Sequence, residues 1–188
     1  LDLCCGLGGP ARYLAYHYGC RVTGVDMNSD RLAGAVRLTE RTKLQDRVLF
    51  HHAHALQTGL ADETFYVIVS QEAFCHIPNK KTLMTECVRL LKPDGRIVYT
   101  DILARSSLTN EICCRLENEM VFSELSTLEQ YCHLLEEKGC HVVEVEDLSD
   151  DWAQILIDRF TMYRSLKEQT VSSFGLEHFQ KWDRTYSF

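Results

Sequence analysis

Glycine occupies positions 6, 8 and 9 within Asp-Leu-Cys-Cys-Gly-Leu-Gly-Gly, Asp2 to Gly9, and one helix later Val22 to Asp26 reads Val-Thr-Gly-Val-Asp. Leu1 and Leu3 alternate with Asp2 as in a buried strand, and Pro10 follows the Gly8-Gly9 turn at a first helical position. Ala11, Leu14, Ala15 and Tyr18 recur at helical spacing, and Gly19 ends that helix before a strand over 21–25. The run therefore predicts strand, tight turn, helix and strand. Gly6 and Gly8 let the backbone turn and approach a ligand without a Cβ in the way. Asp26 lies twenty residues past Gly6, at the end of the second strand, where a carboxylate can accept both hydroxyls of a ribose.

The alternation continues downstream. Asn28, Ser29 and Asp30 cap a second helix, 48–52 forms a third strand and the apolar stretch 65–70 a fourth. Asn79 caps a helix whose Leu83, Cys87, Leu90 and Leu91 share one face, and 96–100 is a fifth strand. Ser126-Thr-Leu-Glu129 reads as the capping box of a helix that Gly139 terminates. Residues 140–148 alternate as a sixth strand, and helical stretches follow over 150–170 and 176–186. The pattern predicts an α/β fold: a doubly wound, Rossmann-like, mostly parallel sheet with helices on both faces. Ligands of such sheets sit outside the carboxyl ends of the strands, the edge to which Gly6, Asp26, His54, Gln71 and Asp101 map.

Two cofactor classes fit the glycines. Gly6-Leu-Gly8-Gly-Pro-Ala11 matches the dinucleotide fingerprint, which implies a nicotinamide-dependent oxidoreductase. Asp2 opposes that reading, because a carboxylate close to the helix N-terminus would repel a pyrophosphate. S-adenosylmethionine has no phosphate, and its sulfonium and ammonium are cations that tolerate an acid there.

These residues resemble the class I S-adenosylmethionine-dependent methyltransferases, in the small-molecule branch that includes sarcosine and dimethylglycine methyltransferases. Asp2-x-x-x-Gly6-x-Gly8-Gly9 is similar to the family's first motif, Ser70-Gln-Glu-Ala-Phe-Cys-His76 to its segment after the fourth strand, and Leu90-Leu-Lys-Pro-Asp-Gly95 to its turn before the fifth. The resemblance implies cofactor contacts from Asp2, Gly6, Gly8, Asp26, Met27, His54, Ala55 and Gln71, with S-adenosylhomocysteine as product. Two positions depart from the family pattern: His54 replaces the acid that receives the adenine amino group, and Tyr66 replaces an aspartate. A neutral imidazole nitrogen can still accept one hydrogen bond.

The resemblance also implies helices before the first strand and an antiparallel strand after the sixth. Leu1 already lies in strand one and no segment is left for a seventh strand, so we expect one domain over 1–188, truncated at both ends. Lid segments are expected over 104–123 and 150–186. Met120 and Phe122 read as core or pocket lining, and Arg159 or Arg164 as partner to a substrate carboxylate or, structurally, to Asp158 or Glu168.

Methyl transfer from a sulfonium needs chiefly an in-line nucleophile, and a base need only keep an amine unprotonated. His76, Glu72 and Tyr99 are the candidate catalytic groups, with Gln71 and Asp101 orienting, and His76 is the preferred base. His76 as a mere turn residue and a non-catalytic cofactor-binding module remain alternatives. A formal charge of −7 disfavours nucleic-acid backbones and is compatible with a cationic small-molecule substrate. No apolar run reaches membrane-spanning length and no segment resembles a signal peptide, so we expect a cytoplasmic protein without membrane contact, with a homo-oligomer open. Nine cysteines, two pairs of them adjacent, read as reduced thiols rather than a disulfide framework. His51, His52 and His54 are awkward as a three-ligand metal site, since alternate strand residues point to opposite faces.

Overall fold

The computed structural model describes residues 1–106, 108–122 and 124–187. They form two compact units, one of residues 1–117 and 121–141, the other of 118–120 and 142–188.

The first unit is built on five parallel strands in the order β3-β2-β1-β4-β5: β1 (Asp2–Leu3), β2 (Val22–Asp26), β3 (Val48–His52), β4 (Phe65–Gln71) and β5 (Leu91–Thr100). Chain order reverses between β1 and β4, so the turns after those two strands flank the crevice where such sheets bind ligands. The interleaved helices are α1 (Gly9–Tyr18), α2 (Ser29–Arg41), α3 (Lys80–Leu90), α4 (Asn110–Arg115) and α5 (Leu128–Glu137). A 3₁₀ turn (Phe74–His76) follows β4, and a π-helical turn (Leu116–Met120) follows α4.

Local sequence accounts for most boundaries. Gly8 and Gly19 bracket α1 in the left-handed region, and Asn28 and Asn79 accept the N–H of Arg31 and Thr82 to cap α2 and α3. Ala11 and Ala15 of α1 pack with Val22 and Val48, whereas Tyr18, expected on that buried face, is 68% exposed. Leu83, Met84, Cys87 and Leu90 of α3 are fully buried against Leu3, Val25 and Ile68. Each large aliphatic among them contributes about 1.5–3 kcal/mol.

Three expectations are corrected. The capping box of α5 is one residue later than expected: Thr127 Oγ1 accepts from Gln130 N and Gln130 Oε1 from Thr127 N, the first residue of the pair having the extended backbone that a cap requires. The fifth strand starts at Leu91 rather than Arg96, with a register irregularity between Phe65 and Val67 that keeps the Lys92–Gly95 turn inside it. Residues 140–148 form no strand. Among the described residues no strand lies beside β5 for them to pair with, and an alternating segment without a ladder partner leaves its N–H and C=O groups to water. Val143 accordingly is 90% exposed.

The second unit contains α6 (Ser149–Ser165), α7 (Lys167–Phe174) and α8 (Leu176–Tyr186). Tyr163 stacks on Phe179 at 5.1 Å, and Arg164 makes a two-bond contact with Asp183 rather than with Asp158 or Glu168. Asp183 lies on the facing helix, which places its carboxylate where both guanidinium donors reach it. No helix among the described residues is long and apolar enough to cross a membrane.

Candidate functional site

Because all five strands run parallel, their carboxyl ends share one edge, and the turns that follow them hold the expected site residues. Two groups emerge, one around the glycine turn and one around His76.

The first is centred on Asp26, which is 7% exposed. Its Oδ2 accepts Gly6 N at 2.8 Å and its Oδ1 accepts Asn28 N at 2.9 Å, so one carboxylate ties the turn after β1 to the turn after β2. A carboxylate has about four lone-pair sites, leaving each oxygen able to take another donor. The loop is closed further by Gly8 N to Cys5 O at 2.8 Å and by Arg12 Nη1 to Leu7 O at 2.6 Å. The two glycines have different reasons. At Gly8 (φ +71°) a Cβ would meet the Phe50 ring at 2.6 Å, whereas at Gly6 (φ +53°) it would project into open space beside Asp26. Bare backbone facing open space next to an acceptor is what a nucleoside requires.

Asp2 is turned inward. It is 2% exposed, its Oδ2 accepts the Ala11 N–H of α1 at 3.1 Å, and burial pushes its carboxyl up to about 6. Neighbouring Cys4 and Cys5 are raised to about 12, mainly by burial, and stay thiols.

After β3, His54 is exposed and its Nδ1 accepts Leu56 N at 3.1 Å. A neutral ring with Nδ1 accepting must carry its hydrogen on Nε2, so the outward nitrogen is a donor, the reverse of the expected acceptor. His51 and His52 are engaged elsewhere, their Nε2 atoms on Thr58 O and Met27 O, both at 2.9 Å. Met27 is 65% exposed and Ala55 is buried. This turn is anchored by a cluster that sequence spacing did not reveal. Glu86 Oε1 accepts both Thr58 N (2.8 Å) and Thr58 Oγ1 (2.6 Å), while Arg89 contacts both Glu86 oxygens, Leu60 O and Asp62. The Arg89 guanidinium, with help from Thr58, pulls the Glu86 carboxyl down to about 2 against the opposing effect of burial.

The second group follows β4 and β5. Ser70 Oγ donates to Leu3 O at 2.8 Å, fastening the ends of β4 and β1 together. Gln71 is exposed, and Glu72 takes a left-handed conformation (φ +52°) with its N–H on Thr100 O. Asp101, just past β5, receives Cys75 N on Oδ1 and the Tyr131 hydroxyl on Oδ2, each at 2.7 Å. It thereby fixes the 3₁₀ turn that bears His76. His76 itself is exposed, its Nδ1 3.2 Å from Val121 O and its ring 4.9 Å from that of Phe122. A carbonyl only accepts, so the neutral ring has its hydrogen on Nδ1 and its lone pair on Nε2. Tyr99 packs between Phe74 and Tyr131, and burial raises its hydroxyl well above the ordinary range, which keeps it protonated.

Sequence reading did not find Tyr131, Val121, Lys80 or the Glu86 cluster. Tyr131 lies at helical spacing with Leu134 and Leu135 and reads as core. Its bond to Asp101 crosses thirty residues and has no local signal.

Among curated proteins, methyltransferase GfsG of Streptomyces halstedii is 33% identical over 153 residues, covering 80% of this chain and 55% of that protein. The glycine/sarcosine/dimethylglycine N-methyltransferase of Actinopolyspora halophila is 30% identical over 150 residues, covering 80% and 26%. A solved structure of Haemonchus contortus phosphoethanolamine N-methyltransferase 2, in complex with phosphomonomethylethanolamine and S-adenosylhomocysteine, superposes with a TM-score of 0.88 at 24% identity, covering 99% of this chain and 43% of that one. The chain thus spans about half, or less, of the length of these proteins. The family model described as "Methyltransferase domain" matches residues 1–99, which carry the glycine turn, Asp26 and the segment after β4, and the chain belongs to that family.

Proposed function

We propose that this domain transfers a methyl group from S-adenosylmethionine to a small-molecule acceptor, and that the atom methylated is an amine nitrogen. The bound cofactor supplies an activated methyl on a sulfonium and leaves as S-adenosylhomocysteine. The observation that carries the reading is Asp26, a buried carboxylate with spare acceptor capacity on both oxygens, bonded to the N–H of Gly6, at which an added Cβ would meet only open space. Asp26 receives the two ribose hydroxyls, the Gly6–Gly8 backbone lies along the cofactor, and His54 offers its Nε2–H to a ring nitrogen of the adenine, with Met27, Ala55 and Gln71 lining the same edge. Asp2, sealed on Ala11 N–H, shapes the turn and already supplies the anion that the α1 N-terminus attracts. A pyrophosphate would compete with that carboxylate, which weighs against nicotinamide chemistry.

Nitrogen is favoured by two of the relatives, which are named as N-methyltransferases. On this reading His76 accepts the amine proton at Nε2, with Glu72 as the next group to test, since the buried Tyr99 hydroxyl stays protonated. Holding the amine in line with the methyl can itself supply about 7–11 kcal/mol. The odd number of cysteines and their two adjacent pairs, unlike a disulfide framework, support a reducing, cytoplasmic setting.

The test is a calorimetric titration of the full-length protein with S-adenosylmethionine and with NADH, followed by a search for 14-dalton mass gains on amines, phenols and thiols. We expect saturable binding of S-adenosylmethionine alone and methylation of an amine. Saturable NADH binding without S-adenosylmethionine heat overturns the cofactor assignment, and methylation confined to thiols or phenols overturns the nitrogen assignment.

A further inference from the structure

Lys80, the first residue of α3, is only 5% exposed, an unusual place for an ammonium. Its Nζ donates to Ile77 O, next to His76, and to Glu124 O at 3.1 Å, three residues beyond Val121. Val121 and Glu124 are thus both attached to the His76 turn, the first by its carbonyl on His76 Nδ1 at 3.2 Å and the second by Lys80. Ala104 N donates to Ser126 O at 3.0 Å, and Phe122, 6% exposed, packs on the His76 ring. Val121 has φ +60°, a conformation that β-branched residues rarely adopt. On its N-terminal side Val121 is held by its own N–H on Glu117 O (3.2 Å) and Phe122 N–H on Leu116 O (3.1 Å), and on its C-terminal side by the Lys80 bond to Glu124 O. The position of the Val121 oxygen decides which imidazole nitrogen bears the hydrogen.

We propose that Lys80 is a positioning residue. By joining Glu124 O to the turn at Ile77, it holds Val121 O where it imposes the Nδ1–H form of His76 and leaves Nε2 as the proton-accepting nitrogen. The proposal rests on the reading of His76 as the base, but its immediate consequence is a tautomer that can be observed without turnover. The Lys80 ammonium donates to two carbonyls, a chemistry that methionine cannot reproduce and arginine can in part.

The test is side-chain ¹⁵N NMR of the full-length protein, which separates the two neutral histidine tautomers, on the parent, Lys80→Met and Lys80→Arg. We expect the parent His76 as Nδ1–H, Lys80→Met shifted to Nε2–H or a mixture with turnover reduced about tenfold or more and KM for S-adenosylmethionine within about threefold, and Lys80→Arg close to the parent. A parent His76 already in the Nε2–H form overturns the proposal without any variant. So does a folded Lys80→Met that keeps the Nδ1–H form. If the tautomer shifts in Lys80→Met while turnover stays at the parent level, the positioning role stands and the assignment of His76 as base falls. Should Lys80→Met fail to fold, Lys80→Gln, which can reach one carbonyl and not both, is read in the same way.

Discussion

Replacing Asp26 with asparagine separates its two roles, holding the glycine turn and binding the ribose. The carboxylate accepts Gly6 N at 2.8 Å and Asn28 N at 2.9 Å through different oxygens. Asparagine has one oxygen, so whichever way the amide is turned, one backbone N–H faces an NH₂ group. One hydrogen bond to a charged acceptor, about 1.5–3 kcal/mol, is exchanged for a donor–donor contact, and the surviving bond loses its charge assistance. The sum is about 2–4 kcal/mol of stability. At about 2–4 °C per kcal/mol for a chain of this size, melting should fall by about 4–16 °C. One ribose hydroxyl also loses its acceptor, which predicts roughly ten- to hundredfold weaker binding of S-adenosylhomocysteine. Differential scanning calorimetry and isothermal titration of the full-length protein read the two effects separately. Melting within about 1 °C of the parent would show that Asp26 does not hold the turn. A large drop in melting with parental affinity would instead refute the ribose contact.

Glu86→Gln should cost about 2–4 kcal/mol in chemical denaturation, since Thr58 and Arg89 donors lose a shared buried carboxylate. Because the Glu86 carboxyl is held down at about 2 when folded against 4.5 ordinarily, its contribution is present above pH 4.5 and lost as pH falls through about 2. Stability curves of parent and variant should therefore converge on the acid side, and parallel curves would contradict the assignment. Gly8→Ala combines a left-handed backbone with a 2.6 Å approach to Phe50 and should lose about 1–3 kcal/mol, measured by thermal melting, whereas Gly6→Ala should affect cofactor affinity more than stability. His76→Ala should lower turnover by about a hundredfold, leave cofactor affinity within about threefold, and recover in part at higher pH, where free amine is abundant. Parental turnover at every pH would leave positioning alone to carry catalysis. His54→Asp keeps an acceptor for Leu56 N–H but removes the Nε2–H donor, so it should weaken S-adenosylmethionine binding at pH 7 by titration, and parental affinity in the folded variant would refute the donor role.

By itself, the sequence determined whatever depends on near neighbours. Pro10 and the glycines at 8 and 19 bound α1, Asn28 and Asn79 cap the helices after them, and apolar periodicity marks the strands, because caps, backbone conformation and amphipathic spacing are settled within a few residues. The parallel sheet followed from the alternation of elements, and with it the edge that carries Gly6, Asp26 and His54. Only the tertiary structure decided which atoms of those residues remain available. His54 and His76 are both exposed histidines on one edge, yet Leu56 N–H makes the outer nitrogen of the first a donor, and Val121 O makes that of the second an acceptor. Asp2 and Asp26 both lie at strand ends, but one is spent on α1 and the other ties the turns after β1 and β2 together. Alternation over 140–148 could not produce a strand, since a strand is defined by a neighbour that no local pattern supplies. Lys80 and Glu86 look like surface charges by composition and are buried because backbone carbonyls and amides far along the chain converge on them. Hydrogen-bond partners at such separation are fixed only when the strands have paired and the helices have packed.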